Sequence, residues 1–163
     1  QPQTRQSADH SLPYIIAKTL QKAASNFVAG NVRFGWSELM LLPEDYSNDA
    51  ITSRGLISLV EKIQIQHGGP EYDSLYPEGI PACVSIVHKQ IGKLDGERCI
   101  FPLGHSQSDA LQTALIVDEK FERLVGKAVE SSTKLADDLR LCDMPPDHVA
   151  NLYRFRINEV PVK

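Results

Sequence analysis

The stretch DHSLPYIIAKTLQKAASNFV, residues 9–28, predicts the first long helix of this chain. Its apolar side chains recur at helical spacing, at Leu12, Ile15, Ile16, Leu20, Ala23, Ala24 and Phe27. Asp9 or Ser11 can cap the helix, and Pro13 is tolerated because first-turn amides have no partner within a helix. A glycine, Gly30, then predicts the end of the helix.

Tyr14 lies away from that apolar stripe. On a helical wheel it is roughly 160° from the centre of the stripe, on the same side as Lys18. The periodicity favours a partly exposed surface residue. The alternative is a phenol that donates a hydrogen bond or shuttles a proton, beside free backbone amides that favour an anion. His10 directly precedes the helix and can approach the same place, although a single His there is more often solvated or a cap.

Composition places the chain among ordinary globular proteins, with 42% hydrophobic and 23% charged residues in 163. A net charge of −4 argues against a nucleic-acid partner, because no basic stripe is present to replace counterions on phosphate. No apolar run approaches the roughly 18 residues that cross a bilayer, so no membrane span is predicted. The first residues show no signal peptide and no initiator Met. We therefore expect the chain to be part of a longer protein.

The three cysteines, Cys83, Cys99 and Cys142, are odd in number and far apart. This pattern is typical of reduced, intracellular protein and favours small buried side chains. There is no CxxC pair, so neither a zinc ribbon nor an iron–sulfur cluster is expected. A Ser-His-Asp arrangement, a phosphate loop and a metal-spaced cluster are also missing from the sequence. The sequence thus predicts no metal and no cofactor.

The middle of the chain mixes helical and extended signals. Apolar spacing predicts a second helix from residue 48 or 49 to about residue 63, followed by a short strand over 63–66. The segment HGGPEYDSLYPEGIP, residues 67–81, is rich in Gly and Pro and predicts a packed surface loop.

A β-hairpin is predicted next. Residues 83–88 alternate, the segment GKLDGE over 92–97 supplies a turn, and residues 98–101 return. Gly104 and His105 follow where the strand breaks into a loop. We interpret them as a structural turn, in which Gly allows a special backbone angle and His hydrogen-bonds the turn.

Helices complete the chain. Asp109, with Gln112 three residues later, predicts a capped start to a long helix that ends near residue 128. Two short helices are predicted near 133–141 and 146–154. The order of elements predicts an α+β fold with apolar helix faces that so small a sheet cannot cover.

Five stretches, in order, resemble the MmgE/PrpD family. They are ADHSLPYIIA (8–17), ELMLLPEDY (38–46), GGPEYDSLYPEGIPACVSI (68–86), FPLGHS (101–106) and EKFERLV (119–125). The family includes 2-methylcitrate dehydratases and cis-aconitate decarboxylases. The second and third stretches look most like the fungal mitochondrial form of the dehydratase.

The resemblance implies a two-part enzyme with a large all-helical domain and a smaller α/β lid. Residues 1–105 would be the later part of the lid. Residues 106–163 would return to the helical domain, which is absent from this chain and would be its partner. The implied reaction is the cofactor-independent removal of water from a small tricarboxylate. A homodimer in the mitochondrial matrix, or in the cytoplasm of a bacterium, is also implied.

Among site residues, the resemblance places the substrate-facing lid tyrosine of the family on Tyr14, as a catalytic residue. His10 is a candidate for substrate binding. Gly104 and His105 match a Gly-His pair whose role is taken as structural, and most other catalytic residues of the family would precede Gln1. Two alternatives stay open: decarboxylation of cis-aconitate to itaconate, and a binding module that kept the lid but lost catalysis.

Overall fold

The computed structural model describes residues 2–31, 33, 35–129 and 156–157. Short and long helices precede one small antiparallel sheet, and a long helix follows it, which confirms the predicted α+β class. The described elements are α1 Arg5–Asp9, α2 Leu12–Val28, α3 Trp36–Leu39, a 3-10 turn Pro43–Tyr46, α4 Asn48–Ile51, α5 Arg54–Val60, α6 Gly69–Leu75, β1 Ser85–His88, β2 Gly92–Asp95 and α7 Ala110–Ala128.

The predicted first helix is confirmed as α2. The Ser11 hydroxyl accepts a hydrogen bond from the Tyr14 amide at 3.4 Å, so Ser11 is the cap. Gly30 lies just past the helix with φ of 89°, a backbone angle that residues with a side chain rarely adopt. A short additional helix, α1, precedes it and begins with a reciprocal Thr4–Ser7 capping box.

The buried core lies among the N-terminal helices. α2 packs against α1, α3 and α5, and α1 also contacts α4 and the Pro43–Tyr46 turn. The cluster contains Ala8, Tyr14, Ala17, Ile51 and Leu56, with Tyr46, Leu59, Val60 and Ile63 packed around it. This small core holds the region that carries the candidate site.

The second predicted helix is wrong in its extent, because it is divided into α4 and α5. Ser53 has a ψ of 118°, which interrupts helical geometry between them. The predicted strand over 63–66 is also wrong, since these residues form neither helix nor strand. Strand formation needs a neighbouring strand to share hydrogen bonds, and alternation of side chains alone does not provide one.

The predicted surface loop over 67–81 contains a helix, α6. Pro70 is in the first turn of α6, where a missing amide proton costs nothing, and Gly69 has a φ of 72°. The Gly and Pro residues that predicted a loop therefore lie at the start of a helix.

A hairpin is present, but its turn is displaced from the prediction. β1 pairs with β2 antiparallel, with Ile86 opposite Leu94 and Val87 opposite Lys93. The turn lies at residues 89–91, so most of the predicted GKLDGE turn is strand. The predicted return over 98–101 forms an isolated bridge between Cys99 and Ala82.

The predicted long helix near the end of the described segment is confirmed as α7. The Asp109 carboxylate accepts a hydrogen bond from the Gln112 amide at 2.9 Å. After α7, Val129 forms an isolated antiparallel bridge with Ile157. The two helices predicted near 133–141 and 146–154 lie outside the described residues.

In the part of the chain that is described, none of the helices combines the length and apolarity needed to cross a membrane.

Candidate active site

Tyr14 is buried in the N-terminal core. Only 1% of its surface is exposed, and its hydroxyl donates a hydrogen bond to the main-chain carbonyl of Asp45 at 2.6 Å. Its ring stacks on that of Tyr46, with centroids 5.8 Å apart. The surface position favoured by helical periodicity is therefore wrong.

The burial of Tyr14 follows from which face of α2 packs. Tyr14 and Ala17 are the buried residues of α2, and on the helical wheel Tyr14 lies opposite the apolar stripe while Ala17 lies on its flank. On the stripe itself, Leu12 and Phe27 are 53% and 65% exposed. Tertiary contacts with α1, α3 and α5 thus cover the more polar face of the helix. Periodicity identifies an apolar face but not which face meets the neighbouring elements.

Asp45 connects the Pro43–Tyr46 turn to α2. Its carboxylate accepts a hydrogen bond from the Leu42 amide at 2.9 Å and one from the Lys22 ammonium at 2.8 Å. The Lys18 ammonium lies 3.6 Å from its other oxygen. Lys22 also donates to the Met40 carbonyl at 2.8 Å. Asp45 is itself only 8% exposed, so a charged residue is held in the core by hydrogen bonds and two cations.

The proton affinities of this cluster follow from its surroundings. Burial by itself would raise the pKa of Asp45, but the Lys22 and Leu42 hydrogen bonds and the nearby lysine charges hold that pKa below its ordinary value. Burial, followed by the Asp45 and Tyr46 charges, raises the pKa of Tyr14. Tyr14 is therefore a protonated hydrogen-bond donor beside an ionised carboxylate.

The space beside Tyr14 is small and apolar. A cavity of about 10 Å³ is lined by Pro2, Tyr14, Ile51, Leu56, Ile57 and Val60. A volume of this size is at the lower limit for a single water molecule. A tricarboxylate does not fit there, so the described residues alone do not form a substrate cleft at Tyr14.

His10 lies at the end of α1, with its side chain 78% exposed. Its Nδ1 atom is 2.5 Å from the Asp9 carboxylate and 2.9 Å from the Gln6 carbonyl. The Gln6 and Asp9 hydrogen bonds, with the charge of Asp9, raise the pKa of His10. The structure thus gives His10 local partners on its own helix, and its role in substrate binding stays a prediction.

Gly104 and His105 form part of a tight turn. Gly104 has a φ of 92°, and its amide donates to the Thr113 hydroxyl at 3.3 Å. The His105 amide donates to the Pro102 carbonyl at 2.9 Å, and its Nδ1 accepts from the Gln107 amide at 3.1 Å. These contacts join the turn to the start of α7.

Among the described residues, no group of three or more His, Cys, Asp or Glu side chains is arranged to hold a metal ion.

Cys83 and Cys99 are free thiols, and both are exposed. The expectation that they are buried is wrong, because the segments on either side of the hairpin carry little packing. Cys142 lies outside the described residues.

The roles of Asp45 and Lys22 are not predictable from a local sequence pattern. Both are of types that usually lie at the surface, and they are 23 residues apart, so no local pattern links them. The available signal was Pro43 followed by two acidic residues, which is typical of the first turn of a short helix. That signal predicts the turn but not its cations.

Comparison with known proteins gives one result for this chain. No curated protein matches it, and no solved structure matches it. A family model, the MmgE/PrpD C-terminal domain, matches residues 38–140, which is more than half of the chain. Four of the five stretches that resemble this family lie within that range, and the first, residues 8–17, precedes it. The chain belongs to the MmgE/PrpD family.

Proposed function

We propose that this chain is the C-terminal part of a hydro-lyase that dehydrates 2-methylcitrate to 2-methyl-cis-aconitate in propionate catabolism. The observation that carries the proposal is the match of residues 38–140 to the MmgE/PrpD C-terminal domain. The likeness of ELMLLPEDY and YPEGIP to the fungal mitochondrial dehydratase supports this substrate and a mitochondrial location. In the proposal the rest of the protein supplies the helical domain, and two copies form the enzyme.

Dehydration next to a carboxylate needs a base for the proton, an acid for the departing hydroxyl, and groups that hold the carboxylates. We assign Tyr14 a part in this chemistry as a hydrogen-bond donor. A phenol is protonated at neutral pH and can therefore donate a hydrogen bond to a substrate oxygen. Its hydroxyl donates to the Asp45 carbonyl here, so participation requires it to exchange this acceptor for a substrate oxygen.

The substrate is tested with the full-length protein. Incubation with 2-methylcitrate and, separately, with cis-aconitate should yield 2-methyl-cis-aconitate from the first, identified by mass spectrometry. Itaconate as the main product would show a decarboxylase and overturn the proposed dehydratase activity. No turnover of either compound by a folded full-length protein would favour a binding module.

The role of Tyr14 is tested by Tyr14→Phe in the same protein. Loss of a positioned donor typically costs about 100-fold or more in turnover. Tyr76→Phe is the matched control, since Tyr76 is 58% exposed. Unchanged kinetics in Tyr14→Phe, with an intact fold by circular dichroism, would reduce Tyr14 to a packing residue.

A further inference from the structure

Asp45 contacts the helix that carries Tyr14 in two different ways. Its main-chain carbonyl accepts a hydrogen bond from the Tyr14 hydroxyl at 2.6 Å. Its carboxylate accepts a hydrogen bond from the ammonium of Lys22, two helical turns further along α2, at 2.8 Å. One residue of the turn thus holds α2 at both the phenol and the middle of the helix.

The carboxylate also fixes the turn from which it projects. It accepts a hydrogen bond from the amide of Leu42, the residue directly before the 3-10 turn. The Asp45 side chain therefore caps the start of the turn to which it belongs. Lys22 donates in addition to the Met40 carbonyl. The position of the Asp45 carbonyl, and with it the acceptor of Tyr14, therefore depends on the Asp45 carboxylate.

We infer that Asp45 is a positioning residue for Tyr14, whose carboxylate holds the main-chain acceptor of the phenol in place. This inference rests on the proposed function only for its link to turnover. The effect of Asp45 on Tyr14 itself follows from the contacts described above.

The charged groups around Tyr14 predict the direction in which its titration midpoint moves when Asp45 is replaced. Asp45 and Tyr46 face it from the turn, Lys18 and Lys22 lie on α2 itself, and Asp9 of α1 acts on the neighbouring Tyr46. Asp45→Asn removes the carboxylate but leaves both lysines. The remaining positive charge stabilises a phenolate, so Tyr14 should lose its proton at lower pH.

The measurement is an alkaline titration of the full-length protein, followed by tyrosinate absorbance. Each protein is also titrated with Tyr14→Phe added, and the difference between the two curves gives the signal of Tyr14. In Asp45→Asn the midpoint should fall by about one pH unit, a typical effect of a neighbouring charge. Asp49→Asn is the matched control, because Asp49 is an exposed acid on α4 and should leave the midpoint in place.

A second variant covers the case in which Asp45→Asn fails to fold. Lys22→Gln removes a cation and leaves the carboxylate, so the Tyr14 midpoint should move to higher pH. Opposite shifts in the two variants support the inference. A Tyr14 midpoint that moves in neither variant overturns it, whatever happens to turnover.

Turnover separates this inference from the proposed function. If Asp45→Asn shifts the midpoint and also lowers turnover, with KM little changed, Asp45 acts through Tyr14 in catalysis. If the midpoint shifts while turnover is unchanged in Tyr14→Phe as well, the positioning of Tyr14 stands and its catalytic role is overturned.

Discussion

Asp45 is an ionised carboxylate in a largely closed environment, and two ammonium groups share it. The side chains of Lys18 and Lys22 are 14% and 23% exposed, so the whole cluster is shielded from water. Removing one member of a buried ion pair is costly, because the other member is left without a partner in a poorly solvated place. Single residues here therefore affect both stability and the behaviour of Tyr14.

The lowered pKa of Asp45 predicts a loss of stability in acid. A carboxyl group whose pKa is lower when folded contributes stability above its ordinary unfolded pKa of about 3.9. That contribution is lost as the pH falls through the folded pKa. Urea unfolding of the full-length protein should show Asp45→Asn to be less stable by about 2 kcal/mol at pH 7.

The difference between the two proteins should shrink below about pH 4, where the Asp45 carboxyl of the unfolded wild-type chain takes up a proton before the folded one does. Asp49→Asn again serves as the control and should track the wild type across the range. A difference that stays constant down to pH 3 would contradict a charge-based role for Asp45.

At the scale of elements, α7 joins the N-terminal helices through polar contacts. Arg123 donates to the Ser37 carbonyl at 2.7 Å and to the Glu119 carboxylate at 2.6 Å. The Ser37 hydroxyl donates to Glu119 at 2.5 Å, and Lys127 pairs with Glu44 at 2.9 Å. None of the described α7 residues is fully buried, and these hydrogen bonds and ion pairs link the helix to α3 and to the Pro43–Tyr46 turn.

Removal of the guanidinium should weaken this contact. We expect Arg123→Ala to lower the free energy of unfolding by about 1 kcal/mol, because the Arg123 side chain is 35% exposed and its ion pair is partly screened. High salt should reduce the effect. Lys120→Ala, an exposed change on the same helix, is the control. Equal effects of the two substitutions in denaturant unfolding at low salt would contradict this account.

Long elements with local signals could be predicted from the sequence. α2 and α7 have caps within four residues and an apolar period that extends over several turns. The hairpin turn could not be placed, because its register depends on cross-strand pairs such as Ile86 with Leu94. Likewise, α6 begins with Gly and Pro, which are equally typical of a loop.

The candidate site shows the same limit. Ser11, Pro13 and the first turn around Tyr14 follow from adjacent residues. The burial of Tyr14 and its acceptor come from a turn 31 residues away. Helical periodicity gives no information on such a contact: it marks Tyr14 as set apart from the apolar stripe, and the family resemblance favours a site role over a surface position.

For the whole molecule, the described part has extensive exposed apolar surface. Large side chains are exposed on three separate elements, including Leu12, Leu20 and Phe27 on α2, Val84, Val87 and Leu94 on or beside the hairpin, and Leu111, Leu115 and Val117 on α7. Soluble monomers rarely present contiguous apolar patches larger than a few hundred Å². A two-stranded sheet is also marginal by itself. These surfaces support the proposal that the chain packs on further parts of a larger protein.

This proposal makes a prediction about the isolated chain. The 163-residue chain alone should bind a hydrophobic dye and aggregate, whereas the full-length protein should bind no dye and should not associate beyond the proposed dimer. Phe27→Ser in the isolated chain should reduce dye fluorescence, while Ala29→Ser, at an exposed small residue nearby, should not. If the isolated chain is monomeric and binds no dye, the proposal that further parts of the protein cover these apolar surfaces is contradicted.

The sequence has a single tryptophan, Trp36, and it begins α3 directly beside Ser37. Trp36 is 54% exposed and directly precedes Ser37, the residue that Arg123 of α7 binds. An optical reporter is therefore already present at the junction of α3 and α7. Its emission wavelength and its quenching by iodide should follow any separation of the two helices in real time, without an attached label.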